Sequence, residues 1–284
     1  MRVTSKIIAA QIKDTISKNT QLLQKSQASI ASGKRILKPS DDPVGTTQVM
    51  KQRARIDSID QFTRNIDDGL SFLGRTDTVL SEVESQLVRA KEIALEQANG
   101  TANSEVRASA ANEVNIILED IVSLANTEFN GRFIFAGYKT QTQPFKLDAS
   151  TVTYQGDEGK IQRQIGFHET TQVNIAGSDT FSQAFDTLIN LREALQQNDQ
   201  AAIEAISADL DESIETTLNA QTEVGARVNR LETQKERLLD VKGEITQILS
   251  DTEDVDLAEV IMEFSLRQTA LQAALESAGQ HFRA

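Results

Sequence analysis

Asp41 and Asp42 stand side by side before Pro43. Paired carboxylates can divide acid and base roles between them. Adjacent residues ahead of a proline instead read as capping groups for a helix that opens at Pro43. Asp251, Glu253, Asp254 and Asp256 offer the oxygen ligands of a calcium loop, but the glycine such a loop requires at its sixth position is Asp256 here. Capping and helix-dipole roles account for these four. The histidines are His168 and His281, no His-Glu-x-x-His spacing occurs, and cysteine is absent. The chain therefore offers no metal-ligand motif, disulfide framework or thiol nucleophile. Gly156–Lys160 departs from a phosphate loop, with Tyr154 where the first glycine belongs and Ile161 where Ser or Thr is needed; it reads as a hairpin turn. Lys34, Arg35 and Lys38 form a small basic patch, suited to a solvated turn or an intersubunit ion pair. Asn99-Gly100-Thr101 fits a glycosylation sequon and is equally a turn signal. No convergent acid, base and nucleophile emerges, so the expectation is a non-enzyme with no cofactor and no metal.

The elements that carry these residues read as helices. Aromatic residues make up only 5% of the 284, tryptophan is absent, and the formal net charge is -13. Aliphatic cores suit long helices, and an acidic chain without Lys/Arg clusters is not built for nucleic acid. No run approaches 18 apolar residues, so no membrane insertion is expected. Ile7–Ala10 is too short an apolar core for a cleaved secretory signal, which by itself points to the cytoplasm.

Two terminal segments show narrow apolar tracks at alternating three and four spacing. In the first, Ala9, Ile12, Ile16, Leu23 and Ile30 fall on the track, with Asn19 and Ser26 filling polar gaps. In the last, Leu257, Ile261, Phe264, Leu271, Leu275, Ala278 and Phe282 do so, and Asp256 with Glu259 forms an acidic start. Each spans roughly 42–45 Å as a helix, and the two are expected side by side. Because the N-terminal track is polar in part, the pair should be weak until neighbouring copies add apolar surface. Gly33 closes the first helix. Lys34, Arg35, Pro39, Asp41, Asp42 and Pro43 make a turn into a helix running to about Ala98, with Ile59, Phe62, Ile66, Leu73, Leu80, Val83, Leu87, Ala90 and Ala94 on one face and Gly69 and Thr76 filling it. A third helix follows Asn103 or Ser104, with Val106, Ala110, Val114, Ile117, Ile121 and Leu124 on one face.

Composition then changes. Residues 131–177 hold six of the fourteen glycines, and nine of the thirteen Phe and Tyr residues lie between Phe129 and Phe185. Phe133–Phe135, Val152–Tyr154, Gln162–Phe167 and Gln172–Ile175 read as strands of a small module with its own aromatic core. Helix resumes after Phe181, breaks at Asn198-Asp199 and runs again to about Ser250. The expected fold is mainly α: a long antiparallel helical rod with paired terminal helices of coiled-coil type and a small β-rich tip. Its parts are 1–42 with 251–284 for assembly, 43–130 with 181–250 for the rod, and 131–180 for the outer module.

Ala31-Ser32-Gly33-Lys34-Arg35-Ile36 and Pro39-Ser40-Asp41-Asp42-Pro43 resemble the N-terminal signature of the flagellin family of bacterial axial proteins. Met1-Arg2-Val3-Thr4, Gly131-Arg132-Phe133-Ile134-Phe135-Ala136-Gly137 and Val224-Gly225-Ala226-Arg227 extend the resemblance. It implies an extracellular structural subunit of the flagellum, exported by the type III apparatus with an export chaperone and without signal cleavage. Within the family, the Pro-Ser-Asp-Asp-Pro turn and short middle segment point to a subunit at the hook-filament junction. That subunit would form a ring or helical oligomer with itself, beside the first hook-associated protein and flagellin. The alternatives are a filament flagellin or, from another class, a soluble helical scaffold or adhesin. Limited proteolysis of the dilute chain is expected to trim roughly the first 40 and last 35 residues and spare the middle; resistant ends would contradict assembly-coupled ordering.

Overall fold

A computed structural model describes residues 2–99, 103–148 and 151–283; the side chains of 2–6, 8 and 280–283 lie outside the description. Six helices carry most of the chain: α1 (Arg2–Ser32), α2 (Pro43–Gln97), α3 (Ser104–Ala125), α4 (Gly177–Gln196), α5 (Gln200–Glu253) and α6 (Leu257–Arg283). Six short strands lie between α3 and α4: β1 (Glu128–Phe129), β2 (Arg132–Phe133), β3 (Phe145–Leu147), β4 (Val152–Tyr154), β5 (Gln162–Gln164) and β6 (Thr170–Gln172). Among the described residues they pair as three antiparallel couples, β1 with β2, β3 with β4 and β5 with β6. Four helix starts, those of α2, α3, α5 and α6, follow side-chain chemistry, whereas α4 starts after Ala176 with no side-chain cap. Asp42 accepts the Gly45 amide at 2.8 Å ahead of α2, Asn103 the Val106 amide at 2.9 Å, Asp199 the Ala202 amide at 3.1 Å, and Asp256 the Ala258 amide at 2.9 Å.

The chain packs as two compact units, Met1–Ser58 with Asp240–Ala284, and Ile59–Leu239. In the second unit, every position of the expected α2 track from Ile59 to Ala94 is buried. Val114, Leu118 and Ile121 of α3, Leu188, Leu191 and Leu195 of α4, and Ile203 and Leu210 of α5 complete an aliphatic core. The gap at Gly69 has a packing reason: a Cβ there would sit 3.2 Å from Val173 and 3.3 Å from Leu231. Thr76 satisfies its hydroxyl on the Phe72 carbonyl at 2.9 Å.

The strand-rich stretch differs from expectation in three ways. Its strands are shorter, because Ile134, Phe135, Ile165, Val173 and Ile175 turn into the core instead of continuing the ladders. Gly156–Lys160 is no hairpin turn, since it joins β4 to β5, which belong to different pairs. Asp157 organises it by accepting the amides of Tyr138 at 2.7 Å and Gly159 at 2.8 Å, which hold its carboxyl below the usual range. Finally, the aromatic core is shared with α4: Phe135 meets Phe181 edge-on at 4.7 Å and Phe145 meets Phe185 at 5.1 Å. Gly177 permits this closeness, as a Cβ would fall 2.8 Å from the Phe145 ring.

On α3 the expected face is displaced by one residue at its start: Val106 is exposed, and Arg107 is only 4% exposed. Arg107 donates to the Gln97 carbonyl at 3.2 Å and to Asn198 Oδ1 at 2.7 Å, tying the end of α2 to the α4–α5 turn. Helix-end carbonyls carry partial negative charge, which suits a guanidinium. Arg107→Met should therefore destabilise the chain by about 2–4 kcal/mol, measured by urea unfolding, while Lys38→Met, on an exposed turn, should leave stability within about 0.5 kcal/mol.

Candidate assembly surface

The first unit is built differently. Among its described residues, the buried hydrophobic ones are Ile36, Val49, Ile245 and Ala278. A segment with so little interior must be held by polar contacts or by other surfaces.

The polar contacts gather where the chain leaves α1 and where it enters α6. Gly33, at φ 69°, closes α1 with its amide on the Ser29 carbonyl at 2.8 Å. Lys34 and Asp254 then form an isolated antiparallel bridge: the Arg35 amide donates to the Glu253 carbonyl at 2.7 Å and the Val255 amide to the Gly33 carbonyl at 3.0 Å. The Glu253 side chain, 8% exposed, accepts Lys34 Nζ at 2.7 Å and Arg53 Nη2 at 2.7 Å on both of its oxygens. Arg35 adds its guanidinium to the Thr252 carbonyl at 2.8 Å and approaches Asp42 at 3.6 Å. This corrects two sequence readings. Glu253 is an ion-pair centre and not a helix cap, and Lys34 and Arg35 find their partners within the chain. No sequence spacing signals such a pairing, because the partners are some two hundred residues apart.

The rest of the turn is organised by the two adjacent aspartates. Asp41 accepts Lys25 Nζ at 2.9 Å and the amides of Leu37 at 3.3 Å and Lys38 at 3.1 Å. The bond from the Lys25 ammonium holds the Asp41 carboxyl below the usual carboxylate range. Asp42 caps α2, and Gly45 makes room for it, since a Cβ would lie 2.4 Å from Asp42 Oδ2 and 2.7 Å from Ile36 Cδ1. Pro39 and Pro43 are exposed. Both carboxylates are occupied by structural donors.

α1 and α6 pack against each other. On α1, Ile12, Ile16, Leu23 and Ile30 are half-buried, as are Asn19 and Thr20, and Ser26 and Ser29 are buried. The expected α6 track divides. Phe264 and Leu271 are half-buried, but Leu257, Ile261 and Leu275 are 48%, 51% and 52% exposed, and the Phe282 side chain lies outside the description. The face that α6 turns to α1 is Val260, Phe264, Arg267, Leu271, Ala274 and Ala278, an equally regular three-four alternation. Its centre lies roughly 45° around the helix from that of the expected track, at about 100° per residue. Arg267 sits within this inner face, where its Nη1 donates to Ser26 Oγ at 2.7 Å and to the Leu22 carbonyl at 3.1 Å. Sequence reasoning passed over Arg267 because a charged residue interrupts an apolar pattern. Its place in the 260–278 alternation was the available signal. Open grooves flank the pair, one lined by Ala9, Ile12, Ile16 and Ala278 and the other by Gln11, Thr15, Ala274 and Ser277. Leu257, Ile261, Met262, Leu266 and Leu275 leave α6 with apolar surface facing solvent.

Comparison with known proteins meets this geometry at the same segments. Residues 3–140 match the family model for the bacterial flagellin N-terminal helical region, and 205–280 match that for the C-terminal helical region. The flagellar hook-associated protein 3 of Escherichia coli is 27% identical over 305 aligned positions, covering 98% of this chain and 96% of that protein. A flagellin of Halalkalibacterium halodurans is 30% identical, covering 90% and 88%. The crystal structure of Bacillus cereus FlgL superposes with a TM-score of 0.63 at 26% identity, over 70% of this chain and 99% of that one.

The crossover makes two measurable demands. Glu253→Gln removes the charge that Lys34 and Arg53 share and should destabilise the first unit by about 1–3 kcal/mol; the figure is discounted because both cations are partly exposed. Far-UV CD melts of the whole chain should show an earlier loss of helix, and an unchanged melt would contradict the assignment. Asp41 titrates lower folded than unfolded, so its contribution is present above about pH 3.9 and is lost as pH falls through the depressed value. Lys25→Ala should move the Asp41 carboxyl, followed by NMR, upward toward that ordinary value.

Proposed function

Because this chain belongs to the bacterial flagellin family, we propose that it is the structural subunit joining the flagellar hook to the flagellin filament. The observation that carries the reading is the first unit, where a paired α1 and α6 leave Leu257, Ile261 and Leu275 half outside and where the described residues include four buried hydrophobic ones. Such a surface gains most by association with further copies and neighbouring subunits. On this reading residues 1–42 with 251–284 are the assembly segment, Ile12, Ile16, Leu23, Ile30, Phe264 and Leu271 hold the pair, and the outward stripe meets other subunits in a ring or helical layer. The first hook-associated protein lies on one side and flagellin on the other, and the chain is exported to the cell exterior with a chaperone. Similarity to hook-associated protein 3 along nearly the whole length supports the junction role. A filament flagellin is the second reading, favoured by the 30% identity to one over 261 positions. Neither reading calls for catalysis.

Removing the gene separates the two: a junction subunit leaves intact hooks and releases flagellin into the medium, whereas normal filaments in its absence would refute the role. Leu275→Asp should leave the helix content of the isolated chain unchanged, since the residue is exposed, yet reduce incorporation into flagella at least tenfold, because a buried unpaired carboxylate opposes contact by well over 1.4 kcal/mol. Leu271→Asp, on the inner face, should in addition lower the melting temperature of the isolated chain.

A further inference from the structure

α6 carries more apolar surface than α1 covers, and the side it turns inward is the poorer one. The inner face places Arg267, Ala274 and Ala278 beside Val260, Phe264 and Leu271; the stripe next to it offers Leu257, Ile261 and Leu275. Burial of apolar area alone would rotate α6 to bring that stripe onto α1. Something with a direction must oppose the rotation.

Arg267 has that direction. Its Nη1 reaches both Ser26 Oγ and the Leu22 carbonyl across the seam, while Nη2 is paired with Glu263 at 3.0 Å. Ser26 is itself buried at a seam position of α1, so turning α6 by a residue's angle would withdraw a charge-assisted donor from an interior acceptor. Axial offset is set nearby. Lys34 lies opposite Asp254 in the bridge, and the same antiparallel alignment continues through Ser26 opposite Arg267 to Ile12 beside Ala278. The bridge lies just beyond the ends of α1 and α6, and each helix is continuous from there past the Ser26–Arg267 contact to Ile12 and Ala278, so an axial offset set at that end persists along the pair.

We propose that Arg267, anchored on Ser26 and Leu22 and phased by the Glu253 crossover, is the positioning residue that sets the rotation of α6 on α1. It thereby holds the Leu257, Ile261 and Leu275 stripe outward for a second copy of the chain. The final clause rests on the assembly role proposed above; the rotation does not. A polar pin of this kind selects one arrangement among several of similar apolar content, much as a single polar seam residue selects register in a coiled coil.

The natural chain has no cysteine, so paired cysteines report the rotation in the full-length protein. Thr15→Cys with Ala274→Cys joins residues that line one groove, whereas Ala278 lines the groove on the other side with Ile12 and Ile16, so Thr15→Cys with Ala278→Cys is the pair that a turned α6 would favour. With Arg267 present, the first pair should oxidise at least about tenfold more readily than the second. Arg267→Ala should lower that ratio about tenfold or more, and Arg267→Lys, which keeps one cationic donor, should recover part of it. An unchanged ratio in Arg267→Ala overturns the proposal. Should neither pair oxidise in Arg267→Ala, Arg267→Lys decides: return of the first pair supports the pin, and its failure to return overturns it. Because the ratio is read on the purified chain, it stands or falls separately from the flagellar role, which incorporation in cells tests.

Discussion

One carboxylate, that of Glu253, holds the place where the chain leaves its first helix to the place where it enters its last. A charge withdrawn this far from water is tolerated only with partners, and Lys34 and Arg53 supply them from two different elements. Its backbone carbonyl takes the Arg35 amide as well, so side chain and main chain of one residue fasten three segments. Both connections here are short and irregular. Untied, each would be an independent pivot, and α1 and α6 would meet with no preferred alignment. On the assembly role proposed above, this constraint has a use, since an assembly that repeats one subunit needs its contact segments delivered in one arrangement each time.

The two units contrast in what stabilises them. In Ile59–Leu239, Leu73, Leu80, Leu87, Leu118 and Ile121 are fully enclosed, and Phe135, Phe145, Phe181 and Phe185 close the strand-bearing side. Such a core supports itself. In the other unit apolar side chains are mostly half-covered, and polar links such as those of Arg267 and Glu253 do the aligning. Half-covered surface is a poor interior for one molecule and a good contact for several. That division fits a subunit whose body is finished alone and whose terminal helices are completed by neighbours.

The sequence predicted α2 well for a simple reason. A helix buried along one face over many turns must repeat its apolar positions at the helical period, and nothing else in the chain needed to be known to find Ile59 through Ala94. The strand-rich stretch was legible in composition and not in pairing, because two- and three-residue ladders carry almost no alternation to read. α6 was legible as an amphipathic helix, yet its orientation was not. Its most apolar stripe and its buried face are different, and only the location of Ser26 and the Leu22 carbonyl tells which wins.

By itself, then, the amino-acid order determined the helices, their caps at Asp42, Asn103 and Asp256 and the closing glycine at 33, since each depends on neighbours a few residues away. Tertiary structure alone decided that Glu253 is an ion-pair centre, that Arg107 fastens two helix ends, and that α6 shows its richer stripe to solvent. Those outcomes depend on groups far apart in the chain, whose meeting is a property of the fold and whose energies exist only once water has been excluded between them.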